Sequence, residues 1–384
     1  MRMRSLFRRG RSRWDQTQKM RYYESARRKP LDPRLAVYAA YWYRGYSCNP
    51  RALYEKAREL VPDVRGVWVV RRDAAASMPP GVEYVVQGTR EYFDLMARAT
   101  YLVNNVNFPN NIVKRPGSVH VQTHHGTPLK WMGLDLRESE TRGRGMDFDA
   151  LQRRVARWDW SVSSNPHSTA VWERVYPGDY ETLEVGYPRN DRLANATPEE
   201  VARVRAELGI APEQTAVLYA PTHREYETGY VSRLDLGRLV DALGPDHVVL
   251  ARLHYFYDAD PLVRELHEAG RLRDVASHPS VEELSLAADM LLTDYSSIMF
   301  DYAVLDRPIV IHAPDWEEYR TRRGVYFDLT AEPPGPVTRT VDEVAAALRD
   351  GDPAPAERAA FRERFCALED GRASERVIER VFER

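Results

Sequence analysis

The stretch Ser118-Val119-His120-Val121-Gln122-Thr123-His124-His125-Gly126-Thr127-Pro128-Leu129-Lys130 passes from an apolar, strand-like run into a polar turn. The turn holds two adjacent histidines, a glycine, a hydroxyl and one of only five lysines in the chain. Imidazole exchanges protons near neutral pH. Glycine lets a backbone approach a ligand closely. Open α/β sheets place their ligands where strands end. Two readings fit these residues: a polar turn with one packed histidine, or a turn that carries chemistry.

Outward from this stretch, strand and helix patterns alternate. Towards the N-terminus, Leu35–Tyr43, Val64–Val70, Val82–Val86 and Tyr101–Asn104 read as strands, with helices over Asn49–Leu60 and Thr89–Ala97. Asp159–Ser163 is a strand, and Asn165-Pro166 starts a helix through Tyr176, with asparagine as N-cap and proline at the first helical position. Leu183–Val185 is a short strand. The second half repeats the logic. Strands are expected at Thr215–Ala220, His247–Leu253, Met290–Thr293 and Pro308–His312. Helices are expected at Thr197–Leu208, Leu234–Leu243, Pro261–Ala269, Val281–Ala287 and Ser296–Leu305, and again at Val341–Leu348, Pro355–Leu368 and Ala373–Phe382. Asp135–Asp149 has no periodicity and reads as a mobile loop. Such alternation implies parallel sheets covered on both faces, an α/β protein of two doubly wound domains hinged near Gly186. The expected division is a basic segment over residues 1–30, an acceptor-side domain over 31–186 and a donor-binding domain over 187–384, whose last helices pack back across both halves.

Composition narrows the function. A formal net charge of -2 gives no global argument for nucleic acid. Two distant cysteines fit a reducing compartment, and no Cys/His cluster has zinc-ligand spacing. The longest apolar run is too short to span a bilayer. Six arginines between Arg2 and Arg13, interleaved with Leu6, Phe7 and Trp14, suit either an anionic membrane surface or a solvated tail.

Four more polar turns follow strand ends. In Leu291–Asp301 a strand runs into a helix start, so Ser296, Ser297 and the unpaired N–H groups offer an anion site, or else a plain serine cap. Asp301 lies one helical turn beyond Ser297 and offers a carboxylate to ligand hydroxyls. After Tyr219-Ala220-Pro221-Thr222, Arg224 offers a phosphate clamp. In Arg252-Leu253-His254 the two polar side chains share a strand face and suit the charge that builds on a pyrophosphate leaving group. Gly186–Asp191 sits where the domains join. Any one of these turns reads equally as a polar loop. Taken together they point to a phosphate-bearing ligand held between two domains. Three Asp-x-Asp triplets lie away from convincing strand ends, so no metal is expected from them.

The chain resembles the CDP-glycerol glycerophosphotransferase family of teichoic acid primases and polymerases. The resemblance rests on His125–Lys130, Gly186–Asp191, Tyr219–Thr222 with Arg224, Arg252–His254, Thr293–Ser297 with Asp301, and Asn49–Tyr54, all in family order. It implies a GT-B fold, with the donor in the cleft between the domains. It implies transfer of glycerol phosphate from CDP-glycerol, or ribitol phosphate from CDP-ribitol, to a hydroxyl of a lipid-linked or glycan acceptor, with CMP released. No cofactor is implied, and fixed cations take the place of a metal. A peripheral location on the cytoplasmic face of the plasma membrane follows from a lipid-linked acceptor, with the basic N-terminus against the membrane surface. In this reading His125 is the general base, and Arg252 and His254 stabilise the leaving group. Ser296 and Ser297 hold phosphate oxygens. Arg189, Pro221 and Thr222 frame the nucleotide, and Asp301 takes the polyol hydroxyls. Gly126, Thr127, Pro128, Leu129, Arg224, Leu253 and Asp294 complete the donor site. The chain departs from the family pattern at His124, where a tryptophan is usual, and at His223, where an aromatic is frequent. Those departures bear on pocket shape and acceptor. It also lacks the long N-terminal extension of many polymerases, which makes it primase-sized. The competing readings are a GT-B glycosyltransferase or nucleotide-sugar epimerase, and a non-catalytic envelope-assembly protein.

Overall fold

The computed structural model describes residues 16–139, 143, 145–224, 226–227, 231–253 and 260–382. Two wholly parallel sheets form the frame. The first contains β1 (Asp32–Ala39), β2 (Arg65–Val70), β3 (Tyr84–Val86), β4 (Ala99–Asn104), β5 (Val119–Gln122), β6 (Trp160–Ser163) and β7 (Glu181–Glu184), in spatial order β3-β2-β1-β4-β5-β6-β7. The second contains β8 (Thr215–Ala220), β9 (His247–Ala251), β10 (Arg273–Asp274), β11 (Met290–Thr293), β12 (Ile309–His312) and β13 (Val337–Thr338), in order β10-β9-β8-β11-β12-β13. The central strands are apolar along their length because helices cover both faces. In each sheet the order reverses beside the first strand, between β1 and β4 and between β8 and β11. A crevice outside the strand ends opens at such a reversal.

Local chemistry starts the helices where expected. Asn165 accepts a bond from Ser168 N–H ahead of Pro166, Thr197 accepts from Glu200 N–H, and Thr89 accepts from Tyr92 N–H. The last helix, Ala373–Phe382, returns to the first sheet, where Val377, Ile378, Val381 and Phe382 join a buried cluster with Ala36, Tyr38, Leu53 and Trp68. Residues 16–26 are helical, and Tyr23 and Ala26 enter the core of the first domain. The arginines at positions 2 to 13 lie outside the described residues.

Several expectations need correction. β1 ends at Ala39, and Tyr41, Trp42 and Tyr43 take left-handed φ angles of 45°, 57° and 69°. That conformation costs about 1–2 kcal/mol per non-glycine residue. It is held by Tyr41 N–H on Asn105 Oδ1 at 2.9 Å and by Arg71 N–H on the Tyr43 carbonyl at 2.7 Å. The segment expected as a mobile loop contains a 3₁₀ turn, Gly133–Glu138, and Asp147 caps the helix Phe148–Val155. The helix expected from Ser296 begins at Ile298 and ends at Tyr302, followed by a 3₁₀ turn to Leu305. The helix Trp316–Arg323 went unread because its sequence is highly polar, burying only Trp316, Tyr319 and Arg323. The two-residue strands β10 and β13 were also unread, being too short to carry a period.

The domains are clasped beyond the polar turn. Lys130 bridges to Val325, Trp131 N–H bonds the Gly324 carbonyl at 3.1 Å, and Leu129 is buried in the core of the second domain. Gly324 has a φ of 70°, and a Cβ there would meet the Trp131 ring at 2.1 Å.

Candidate active site

The turn after β5 sorts its two histidines. His124 takes a φ of 48° and sends its ring into the interior. There it stacks on Trp172 with centroids 4.2 Å apart, and its Nε2 hydrogen-bonds Ser161 Oγ at 3.0 Å. Burial holds its imidazole well below the ordinary histidine range. It is a packing residue and does not line the cleft, so the departure at this position acts through the core.

His125 faces the cleft. Its Nδ1–H donates to the Asn105 carbonyl at 2.9 Å, and its ring meets Tyr41 edge-on at 5.6 Å. That bond assigns the proton to Nδ1 and leaves the Nε2 lone pair to accept one. Burial, reinforced by Arg189, holds the imidazole below its usual range, against the pull of the Asn105 bond. It is therefore neutral at physiological pH, as a base must be.

The cleft measures about 560 Å³ and is lined by Tyr41, Cys48, His125, Arg189, Arg252 and Glu282, among others. Three arginines line it, Arg44, Arg189 and Arg252. Arg189 donates to Asp301 Oδ2 at 2.6 Å and to Cys48 Sγ at 3.3 Å. Arg252 donates to the carbonyls of His278, at 2.8 Å, and Val275, at 3.3 Å, and makes no ion pair among the described residues. The field of Glu282, which lines the same cleft, acts on it as well. Asn49, fully buried, organises the wall. Its Nδ2 donates to the Thr123 and His124 carbonyls at 2.9 and 3.0 Å, and its Oδ1 accepts Arg189 N–H at 3.1 Å. Gly126, with a φ of 145°, brings its backbone against the second domain, where a Cβ would lie 3.2 Å from Ser297 Oγ and 3.3 Å from Arg189 Nη2.

At the reversal in the second sheet a much smaller cavity, about 20 Å³, is lined by Pro221, Thr222, Arg224 and Asp294. Thr222 Oγ1 is buried and has no partner among the described residues. Asp294 Oδ1 accepts Thr222 N–H at 2.8 Å, and its Oδ2 accepts Arg224 Nη1–H at 2.7 Å.

The structure gives other expected site residues partners within the protein. Arg224 is held by two carboxylates. It forks onto Asp315 at 3.0 and 3.1 Å, bonds Asp294, and packs against the stacked rings of Tyr295 and Tyr319, 4.8 and 5.0 Å from their centroids. Asp301 accepts from Arg189; burial raises its carboxyl above the usual range, against Arg189. Thr127 is buried among Ser164, Asn165 and Ser168, Pro128 is buried with its carbonyl on His167, and Leu253 belongs to the core. Neither serine side chain caps the short helix: Ser297 makes no capping bond, and Ser296 Oγ accepts only a 3.4 Å contact from Ile298 N–H. His254 lies outside the described residues. Within the Asp-x-Asp triplets, Asp147 and Asp260 are helix caps and Asp352 pairs with Arg358. Tyr41, Asn49, Asn105 and Glu282 were not picked out as site residues. Asn105 carried a signal, since Asn104-Asn105 is a polar pair at a strand end like the others.

Two doubly wound domains that face each other across a cleft carrying a histidine and three arginines make a GT-B protein. A family model described as CDP-Glycerol:Poly(glycerophosphate) glycerophosphotransferase matches residues 21–383, and the chain belongs to that family. It is 35% identical over 376 residues to the Teichoic acid poly(glycerol phosphate) polymerase of Bacillus subtilis (strain 168), spanning 93% of this chain and 50% of that protein. It is 33% identical to the Teichoic acid glycerol-phosphate transferase of Staphylococcus aureus (strain NCTC 8325 / PS 47), spanning 91% of this chain and 92% of that one. A solved structure of the Wall Teichoic Acid Polymerase TagF, a variant soaked with CDPG, superposes with a TM-score of 0.82 at 31% identity, covering 92% of this chain and 90% of that one.

Proposed function

We propose that the protein transfers glycerol phosphate from CDP-glycerol to a hydroxyl of a poly(glycerophosphate)-type acceptor in teichoic acid synthesis and releases CMP. One observation carries the reading: a neutral His125, its proton fixed on Nδ1 by the Asn105 carbonyl, shares one cleft with Arg189 and Arg252. His125 Nε2 takes the proton of the acceptor hydroxyl as that oxygen attacks the phosphorus bearing the glycerol. The pyrophosphate P–O bond breaks, and its electron pair leaves with CMP. Arg252, held by backbone carbonyls and without an ion pair among the described residues, neutralises the charge that develops there. Arg189 is held in place by Asp301 and Asn49 and binds the transferring phosphoryl oxygens. Thr222, with its free hydroxyl, contacts the nucleotide side of the donor.

A nucleotide-activated donor is spent in the cytoplasm, so the reading places the protein on the cytoplasmic face of the membrane that holds a lipid-linked acceptor. Among the described residues no helix is long and apolar enough to cross a membrane.

The test is to incubate the protein separately with CDP-glycerol, CDP-ribitol and UDP-sugars, together with acceptor, and to follow nucleotide release. CMP from CDP-glycerol is expected. UDP release would move the protein to the glycosyltransferases or epimerases, CMP from CDP-ribitol alone would change the polyol, and no release at all would favour a non-catalytic role.

A further inference from the structure

A second groove adjoins the catalytic cleft on the first domain. It measures about 700 Å³ and includes Trp42, Arg71, Gln87, Asn107, Asn110 and Arg154 in its lining. Trp42 lines both spaces and is the wall between them. Its indole is 58% exposed, although a large aromatic side chain gains by burial. The left-handed run Tyr41–Tyr43 holds it there: Tyr43 is buried beneath, its hydroxyl 3.3 Å from that of Tyr92, while Tyr41 meets His125. A strained backbone that presents an exposed ring beside a candidate base points to use by a ligand.

Alongside apolar Val106, Phe108 and Leu151, the groove carries polar and cationic side chains. Arg154 donates to Asn110 Oδ1 at 3.0 Å and makes no ion pair among the described residues. Among the described residues Arg71 pairs only with exposed Asp73, a bond that water already weakens. The rim over residues 108–112 is pinned from below by Arg157, whose guanidinium donates to the carbonyls of Phe108, Pro109 and Ile112 at 2.8 to 2.9 Å. The groove is therefore a preformed surface with an aromatic platform, amides and two available cations.

We infer that this groove binds the growing acceptor, a chain of polyol units joined by phosphodiesters. Its terminal hydroxyl passes Trp42 to reach His125, and the phosphodiesters further back lie against Arg71 and Arg154. The inference rests on the transfer reading for the chemistry of the acceptor; the groove itself does not. A polyhydroxylated polyanion matches the surface. Amides bond hydroxyls, the arginines bind phosphodiesters, and the indole covers the carbon backbone.

The test uses the full chain with glycerol phosphate oligomers of increasing length, with CDP-glycerol as donor. Arg154→Gln and Arg71→Gln are expected to raise the KM for long oligomers about tenfold, since each removes a charge-assisted contact. The KM for a single glycerol phosphate unit, the donor KM and kcat should hold. Arg154→Lys should restore binding of the long oligomers. Calorimetry without donor should show the same length-dependent loss, and added salt should weaken wild-type binding. Equal KM values for long and short oligomers in wild type, or long-oligomer KM values unmoved by both variants, would overturn the inference while transfer itself stood. Loss of binding to anionic vesicles with unchanged oligomer KM would overturn it in favour of a membrane-facing groove. Arginine-dependent oligomer binding in a protein that releases no CMP would uphold the groove and sink the transfer reading instead.

Discussion

Arg189 Nη2 donates to Asp301 Oδ2 at 2.6 Å, joining the turn Pro188–Asn190 to the short helix beyond β11 with both side chains buried. Removing one partner of a buried pair leaves an uncompensated charge. Asp301→Ala is expected to destabilise the protein by roughly 3–5 kcal/mol, read from urea unfolding. It should also lower transfer, because Arg189 loses its orientation in the cleft. A variant of wild-type stability would show that the pair does not hold the turn.

The two neighbouring histidines should separate cleanly. His125→Ala is expected to lower kcat by about 10²–10⁴-fold while CDP-glycerol still binds, because a general base contributes on that scale. His124→Ala should act mainly on the unfolding midpoint, because it opens a cavity against Trp172. Measuring kcat, donor affinity and thermal midpoint on both variants decides the assignment, and full turnover by His125→Ala would refute it.

The pH profile follows from the same geometry. A base works only when unprotonated, and burial with Arg189 places the His125 pKa below the ordinary value. Activity should therefore be complete across neutral pH and fall only as pH drops through that depressed value. The acid limb of kcat/KM should lie below about 6.5, where an unperturbed histidine would put it. A limb at or above that point would mean that another group titrates.

Gly126→Ala should impair catalysis more than folding. The new methyl would stand 3.2 Å from Ser297 Oγ, at a φ of 145° that side chains resist. The displaced turn carries His125, and misplacing a catalytic group by about 1 Å costs on the order of 10²-fold. Steady-state kinetics beside a thermal melt would reveal the split.

Arg224→Lys separates a phosphate clamp from an anchor between carboxylates. Lysine cannot fork onto Asp315 while also bonding Asp294, so the expected loss is of stability, roughly 1–3 kcal/mol, with the donor KM unchanged. A raised donor KM at wild-type stability would return Arg224 to the phosphate site.

Local chemistry in the sequence determined the frame of this protein. Apolar runs of strand length, the caps Thr89, Asn165 and Thr197, and the prolines after the last two specify parallel strands and their helices from contacts a few residues apart. The polar turns at strand ends likewise located the ligand crevice, because doubly wound sheets place it there. Tertiary structure alone decided which side chains face it. His124 and His125 are neighbours, yet a φ of 48° turns the first onto Trp172 while Asn105 holds the second at the cleft. Arg224 and Arg252 both follow strand ends. The first meets Asp294 and Asp315, distant in sequence, and is neutralised; the second bonds carbonyls and makes no ion pair among the described residues. Residue type sets what a side chain can do. Partners far along the chain, brought close by folding, set whether it is free to do it.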